Sequence, residues 1–169
     1  MPIENMNPTA VSSTESLSET VHYDEREAHH TRTVVISVDF SEHSKFTFDW
    51  ALENIAKKET DLLVFLNCRP ISTVPGPYGT SYIDFTDYLH QVELQNRTES
   101  HAMLQKYAGA AKLKGFTVKA VALRGDPRDE LTRKIKEIHA DLVVMGSRGH
   151  GAIKRAFLGS VSGMFLFFS

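Results

Sequence analysis

The chain has 169 residues, 41% of them apolar and 24% charged, and a formal net charge of −2. That length and balance suit one soluble globular domain with a sizeable core, and the slightly acidic total argues against a nucleic-acid partner gripped through a broad basic face. A single cysteine, Cys68, excludes an intramolecular disulfide and a Cys-rich zinc site.

Residues 1–31 are rich in Ser, Thr and Glu with scattered apolar positions, and are expected to form a disordered tail ahead of one folded domain over 32–169. Ser12, Ser13, Ser16 and Ser18 read as solvated tail residues. The pair His29-His30 has no Cys or His at zinc spacing, so no metal site of the protein's own is expected. The N-terminus lacks the basic start and apolar stretch of a signal peptide, and no run approaches the ~20 apolar residues of a spanning helix. The expectation is a cytoplasmic protein with no membrane partner.

Residues 33–38, Thr-Val-Val-Ile-Ser-Val, are apolar on both faces, as a central parallel strand requires. Phe48, Ala51, Leu52, Ile55 and Ala56 then recur at helical spacing, with Trp50 beside them as a core residue. A second strand is predicted over 62–66, followed by a Pro/Gly-rich loop over 70–81. A long helix over 83–114 carries Met103, Leu104, Tyr107, Ala108 and Ala111 on one side and stops at Gly115. The third strand covers 116–123. Gly125-Asp126-Pro127 is a helix start, with Asp126 as N-cap and Pro127 at the first helical position, and Leu131, Ile135 and Ile138 form that helix's buried side. Asp141 leads into the fourth strand, 142–145. Strands alternating with helices imply a parallel sheet covered on both faces, with ligands at the C-terminal strand ends where the strand order reverses.

The most informative stretch follows that fourth strand. Gly146, Gly149, Gly159 and Ser160 are spaced G-x-x-G, nine residues, then G-S, and no Asp or Glu occurs from 142 to 169, whereas Arg148, His150, Lys154 and Arg155 do. A strand that ends in a glycine-rich loop and passes into a helix presents backbone N–H groups to an anion. The spacing is neither a Walker loop nor the dinucleotide fingerprint. It resembles the ATP-binding signature of the universal stress protein family, and 32–162 resembles that family in element order.

The resemblance implies an α/β fold, a doubly wound, Rossmann-like parallel sheet of the adenine nucleotide alpha hydrolase-like kind, binding ATP or AMP, with Mg²⁺ only as the companion of bound nucleotide. Val38-Asp39-Phe40-Ser41 resembles the family's V-D-x-S turn. Asp39 there suits ribose hydroxyls or the adenine edge, the alternative being that Asp39 or Ser41 caps the next helix. Asn67 and Cys68 end the second strand, where family members line the adenine pocket largely through backbone; Cys68 itself reads as a buried small residue rather than a nucleophile. Gly146 and Gly149 leave room for polyphosphate, and the resemblance gives Gly159, Ser160, Val161 and Ser162 as donors to it. Arg148 and His150 neutralise charge. Gly151 is conformational, and Lys154 and Arg155 fit solvated helix positions equally well.

Family members usually continue into a helix and a last edge strand that often pairs across a homodimer. Seven residues, 163–169, are too few for both, so the final edge strand and the usual dimer contact are expected to be missing, leaving 142–145 as an exposed edge. No G-x-S-x-G elbow, HExxH or P-loop lysine is present. The reading is therefore a nucleotide-binding stress-response protein, not an enzyme, whose nucleotide is a conformational ligand. Its alternatives are a slow ATPase or nucleotide-dependent phosphotransfer protein, and a structural dimer scaffold that binds nothing.

Overall fold

The computed structural model describes residues 18–22, 30–71, 82–146 and 164–168. Its strands are β1 (Ser18–His22), β2 (Arg32–Ser37), β3 (Asp61–Arg69), β4 (Thr117–Arg124), β5 (Leu142–Gly146) and β6 (Met164–Phe168). Its helices are α1 (Glu42–Asn54), α2 (Tyr82–Leu113) and α3 (Pro127–Glu137). The sheet runs β1-β4-β3-β2-β5-β6. Strands β2 to β6 are parallel, and β1 alone is antiparallel, on β4.

Each central strand is apolar on both faces because each face has its own helices to meet. Val34, Ile36, Leu63, Phe65, Val118 and Ala120 face one core together with Phe48, Ala51 and Leu52 of α1 and Leu104, Ala108 and Ala111 of α2. Val35, Val64, Leu66, Val121, Val143 and Met145 face the other, with Leu131 and Ile135 of α3. Phe48, Phe65 and Tyr107 make an aromatic triple in the first core, with ring centroids 5.0–6.4 Å apart. Trp50, expected in that core, is only half-buried. Gly115 closes α2 at φ +92°, a conformation that favours glycine. Asp126 caps α3, accepting from the backbone N–H groups of Arg128 and Asp129 at 2.9 and 3.2 Å, with Pro127 opening the helix.

Two expectations are corrected. The N-terminal segment is not a tail throughout, because β1 pairs with β4 from Ser18↔Leu123 to His22↔Ala120. Only one of its five residues, Val21, is apolar and packs on the first core, so it carries too little hydrophobic pattern to announce itself, while the backbone groups of β4 reward any partner along that edge. The sheet also does not lack its final strand. Met164 to Phe168 pairs in parallel with β5 in the register Leu142↔Met164 to Gly146↔Phe168. Five consecutive apolar residues suffice for a strand of average length, and β5 is therefore an internal strand.

The N-terminal end of the sheet is closed by polar contacts. Arg32 and Asp61 are cross-strand neighbours, and the guanidinium grips the carboxylate twice, Nε to Oδ1 at 2.9 Å and Nη2 to Oδ2 at 2.5 Å. The Asp61 side chain is fully buried and also accepts from the Lys57 N–H at 2.8 Å and the Thr60 hydroxyl at 2.9 Å. Burial by itself would raise this carboxyl's pKa, but the hydrogen bonds from Arg32, Lys57 and Thr60 outweigh it and hold the group below its usual value. Asp141 clasps β2 next door: its Oδ2 accepts from the Thr33 N–H at 2.7 Å and its own N–H donates to the Thr33 carbonyl at 2.9 Å.

A depressed folded-state pKa contributes stability above the unfolded value near 3.8 and loses it as pH falls through the folded value. Asp61→Asn is expected to cost about 1.5–3 kcal/mol at pH 7. In urea melts the gap between wild type and variant should narrow steadily below pH 4; a gap unchanged at pH 3 would show that the ionised carboxylate is not what stabilises this end.

Candidate functional site

Strand order reverses at β2. Its successor β3 lies on one side, at Ser37↔Leu66, and β5 lies on the other, at Ser37↔Met145. The two turns singled out in the sequence, after Ser37 and at Gly146, thus open at the same end of the sheet from adjacent strands. Beyond that level β3 and β4 continue together for three more residues, Asn67↔Ala122 to Arg69↔Arg124, about 10 Å at ~3.3 Å per residue. The ends of β2 and β5 are thus set back by a step from those of β3 and β4.

Val38 stands at the foot of the step, 1% exposed. Its N–H donates to the Leu66 carbonyl at 2.9 Å, and its carbonyl accepts from the Asn67 Nδ2 at 2.9 Å. Asn67 is itself buried, and its Oδ1 accepts from the Ser100 hydroxyl of α2 at 2.6 Å. The Asn67 side chain is therefore a tie between three elements, β2, β3 and α2.

Asp39 follows. Its Oδ1 accepts from the Ser41 N–H at 2.9 Å, the Ser41 hydroxyl at 2.5 Å and the Ser44 hydroxyl at 2.6 Å, while the Asp39 N–H donates to Ser44 Oγ at 2.8 Å. Ser41 is the N-cap of α1, its Oγ accepting from the Ser44 N–H at 3.3 Å. Capping and carboxylate placement are one arrangement here: the serines that start the helix also set the orientation of Asp39. An acceptor held this way loses little freedom when it meets a ligand hydroxyl. The phenol of Tyr107 is pushed above its ordinary pKa by burial, with the charges of Asp39 and Asp49 adding to the effect, so it remains a neutral hydroxyl at physiological pH.

Gly146 closes β5 against the first turns of α1. A Cβ built there would lie 3.4 Å from Thr47 Oγ1 and 3.7 Å from His43 Cβ, ordinary contact distances, and its φ is not positive. The described packing thus accommodates a small side chain at this position. Val38, Asp39, Ser41, Asn67 and Gly146 are brought to one end of the sheet. Arg148, Gly149, His150, Gly159, Ser160, Val161 and Ser162 lie outside the described residues, as do Gly151, Lys154 and Arg155. Cys68, at the edge of the step, has its thiol pushed up to about 12 by burial and by the charges of Glu130 and Asp126, which suits a packing residue and not a nucleophile.

Two supporting residues escape a reading of the sequence by motif. Ser44 is visible only as the second serine of Ser41-x-x-Ser44, a spacing that resembles a capping box with serine in place of the acid. Ser100 continues the inward stripe of Leu104, Ala108 and Ala111 one turn toward the N-terminus, where a buried hydroxyl needs a partner.

A parallel sheet wound in both directions from β2, with a polar crevice at the reversal, is a Rossmann-like α/β fold. A sequence model of the universal stress protein family matches residues 30–164, and the chain belongs to that family. Universal stress protein Sll1388 of Synechocystis is 28% identical to it over 133 residues, 76% of this chain and 86% of the relative. A universal stress protein A-like protein of Arabidopsis thaliana is 26% identical over 121 residues, 70% of this chain and 69% of the relative. Among solved structures, the hypothetical protein MJ0577 superposes with a TM-score of 0.66 at 14% identity, covering 81% of this chain and 94% of its own. An Arabidopsis thaliana universal stress protein family protein with AMP bound gives 0.59 at 21% identity, with coverage of 81% and 90%. These structures share the fold of the present chain.

The tie through Asn67 makes a graded prediction. Asn67→Leu strands both the Val38 carbonyl and the Ser100 hydroxyl, whereas Ser100→Ala strands only Asn67 Oδ1. An unsatisfied buried polar group costs about 1–3 kcal/mol, so urea unfolding should rank Asn67→Leu well below Ser100→Ala, and Ser100→Ala below wild type.

Proposed function

We propose that this chain binds an adenine nucleotide, AMP or ATP, in the crevice at the C-terminal ends of β2 and β5, and that the nucleotide acts as a conformational ligand in a stress-response setting. The observation that carries this reading is the adjacency of β2 and β5, which sets the Asp39 carboxylate beside the strand that leads into the glycine-rich loop. In a doubly wound sheet this is where ligands bind. Family membership supports it, as do relatives solved with AMP bound and in complex with cAMP, the latter with a TM-score of 0.50 and 23% identity.

In this reading the two halves of the ligand meet different chemistry. Asp39, oriented by Ser41 and Ser44, accepts from ribose hydroxyls or the adenine edge. Gly146, Gly149, Gly159 and Ser160, with Val161 and Ser162, supply donors to phosphate, and Arg148 and His150 supply positive charge. Mg²⁺ accompanies the polyphosphate as part of the ligand. We read the protein as a binder and not an enzyme: phosphoryl transfer calls for metal-holding carboxylates and a positioned nucleophile, and the segment from Leu142 onward contains no carboxylate side chain.

Binding to the native state adds RT ln(1 + [L]/Kd), about 2.7 kcal/mol at a hundredfold excess over Kd, which raises the Tm of a chain this size by roughly 5–10 °C. Thermal melts with AMP and with ATP and Mg²⁺ should show that rise, and Asp39→Asn should reduce affinity about tenfold or more in titration calorimetry. No thermal or calorimetric response at millimolar nucleotide overturns the binding reading. Steady release of phosphate from labelled ATP, abolished in Asp39→Asn, would replace it with the ATPase reading.

A further inference from the structure

Beyond its backbone ladder, β1 has few contacts to hold it on the sheet. Of its residues only Val21 is apolar and packs on the first core. The register on β4 steps by one residue between Thr20 and His22. His22 Nε2 is buried with no hydrogen-bond partner among the described residues, which costs free energy each time the strand is seated. Glu19 is the exception. Its Oε2 accepts from Arg97 Nε at 2.9 Å and lies 2.8 Å from Arg97 Nη2 and 3.1 Å from His101 Nε2, and its Oε1 lies 3.6 Å from Arg69 Nη2.

The residues of α2 that receive Glu19 share a turn with the residue that supports the crevice. Arg97, Ser100 and His101 stand at i, i+3 and i+4 of the helix, neighbours on its surface. The Ser100 hydroxyl donates to Asn67 Oδ1 at 2.6 Å, and Asn67 Nδ2 donates to the Val38 carbonyl at 2.9 Å, one residue before Asp39. One turn of α2 is therefore gripped by β1 on one side and tied to the end of β2 on the other. Ser100 and Asn67 are both buried, so a displacement of that turn strands polar groups that have no water to turn to. Contiguous contacts carry coupling only where some element has two states, and an edge strand with so thin a side-chain hold supplies a seated and a released one.

We propose that β1 is a regulatory strap, latched by Glu19 onto Arg97 and His101, whose seating raises the affinity of the crevice for nucleotide through Ser100, Asn67 and Val38. The coupling rests on the nucleotide reading of that crevice; the latch does not. With the strap seated, the turn at Ser100 is fixed, Asn67 keeps its two partners, and the strand end that carries Asp39 is held before the ligand arrives. With the strap released, that turn loses its outer hold and the ordering of the crevice falls to the ligand, at a cost in affinity. Linkage makes the effect reciprocal: nucleotide must favour the seated strap by the factor by which the seated strap favours nucleotide.

The test is amide hydrogen exchange of the full chain, read at residues 18–22 with and without saturating AMP. Without AMP, Glu19→Gln should speed exchange there about fivefold, and Glu19→Gln combined with Arg97→Gln should add little, because both remove one contact. In the wild type AMP should slow exchange at 18–22 about fivefold or more, and in Ser100→Ala that slowing should disappear. Glu19→Lys together with Val21→Ser removes both side-chain holds; its AMP dissociation constant by calorimetry should rise by the factor by which AMP slowed exchange in the wild type. Should that variant fail to fold, the comparison of wild type with Ser100→Ala decides the coupling. AMP that binds the wild type but leaves exchange at 18–22 unchanged overturns the coupling while the binding reading stands, and AMP that does not bind overturns both. Slowing that persists in Ser100→Ala overturns the route, and exchange that is indifferent to Glu19→Gln overturns the latch.

Discussion

The burial of β2 on both faces, between two parallel neighbours, is the constraint from which the rest of the structure follows. Val34, Val35 and Ile36 are each 0% exposed, so the strand must be covered by helices on both sides and paired along both edges. The chain meets the first demand by sending α1 and α2 over one face and α3 over the other, and the second by placing β3 and β5 alongside. Winding in two directions from one strand places the turn after β2 between β3 and β5, where the strand order reverses. In a doubly wound sheet that point of reversal is where ligands bind.

The two ends of the sheet then take opposite characters. At the N-terminal end the two acids that start or precede strands, Asp61 and Asp141, are answered within the fold, Asp61 by Arg32, Lys57 and Thr60 and Asp141 by Thr33. Such an end is closed and serves stability. At the C-terminal end the polar groups are oriented by other polar groups, Asp39 by Ser41 and Ser44 and the Val38 carbonyl by Asn67 and Ser100. Ordering a side chain before its ligand arrives lowers the entropic cost of binding. The Ser41 hydroxyl that caps α1 therefore also orients Asp39, together with the hydroxyl of Ser44.

Much of this was readable from residue pattern because the signals were long or redundant. A β-branched run announced β2 and an apolar run β5, helical spacing announced α1 and α3, and Asp126-Pro127 and Gly115 marked helix ends by chemistry that only those residues perform well. What was not readable is two-body in nature. Ser18–His22 has one apolar residue to offer, and its strand exists only because β4 presents an unfilled ladder. Asn67 carries a family-like position, but nothing in its neighbours shows that its amide joins Val38 to Ser100, 33 residues away in the chain. In the same way the pairing of Arg69 with Glu93 and Arg124 needs the strand register before it can be seen.

Both edges of the sheet illustrate how weakly local sequence constrains strand pairing. On one side β1 is polar and is held by its ladder, by Val21 and by the carboxylate of Glu19 reaching Arg69, Arg97 and His101. On the other, β6 is apolar at all five positions and joins β5 in register from its first residue to its last. An edge strand needs only one neighbour, and backbone hydrogen bonding is indifferent to side-chain identity, so either composition can satisfy it. The two edges should nevertheless respond differently to salt. Screening acts on the charge contacts of Glu19 within a Debye length of about 8 Å at physiological ionic strength, and leaves the backbone ladder of β6 untouched.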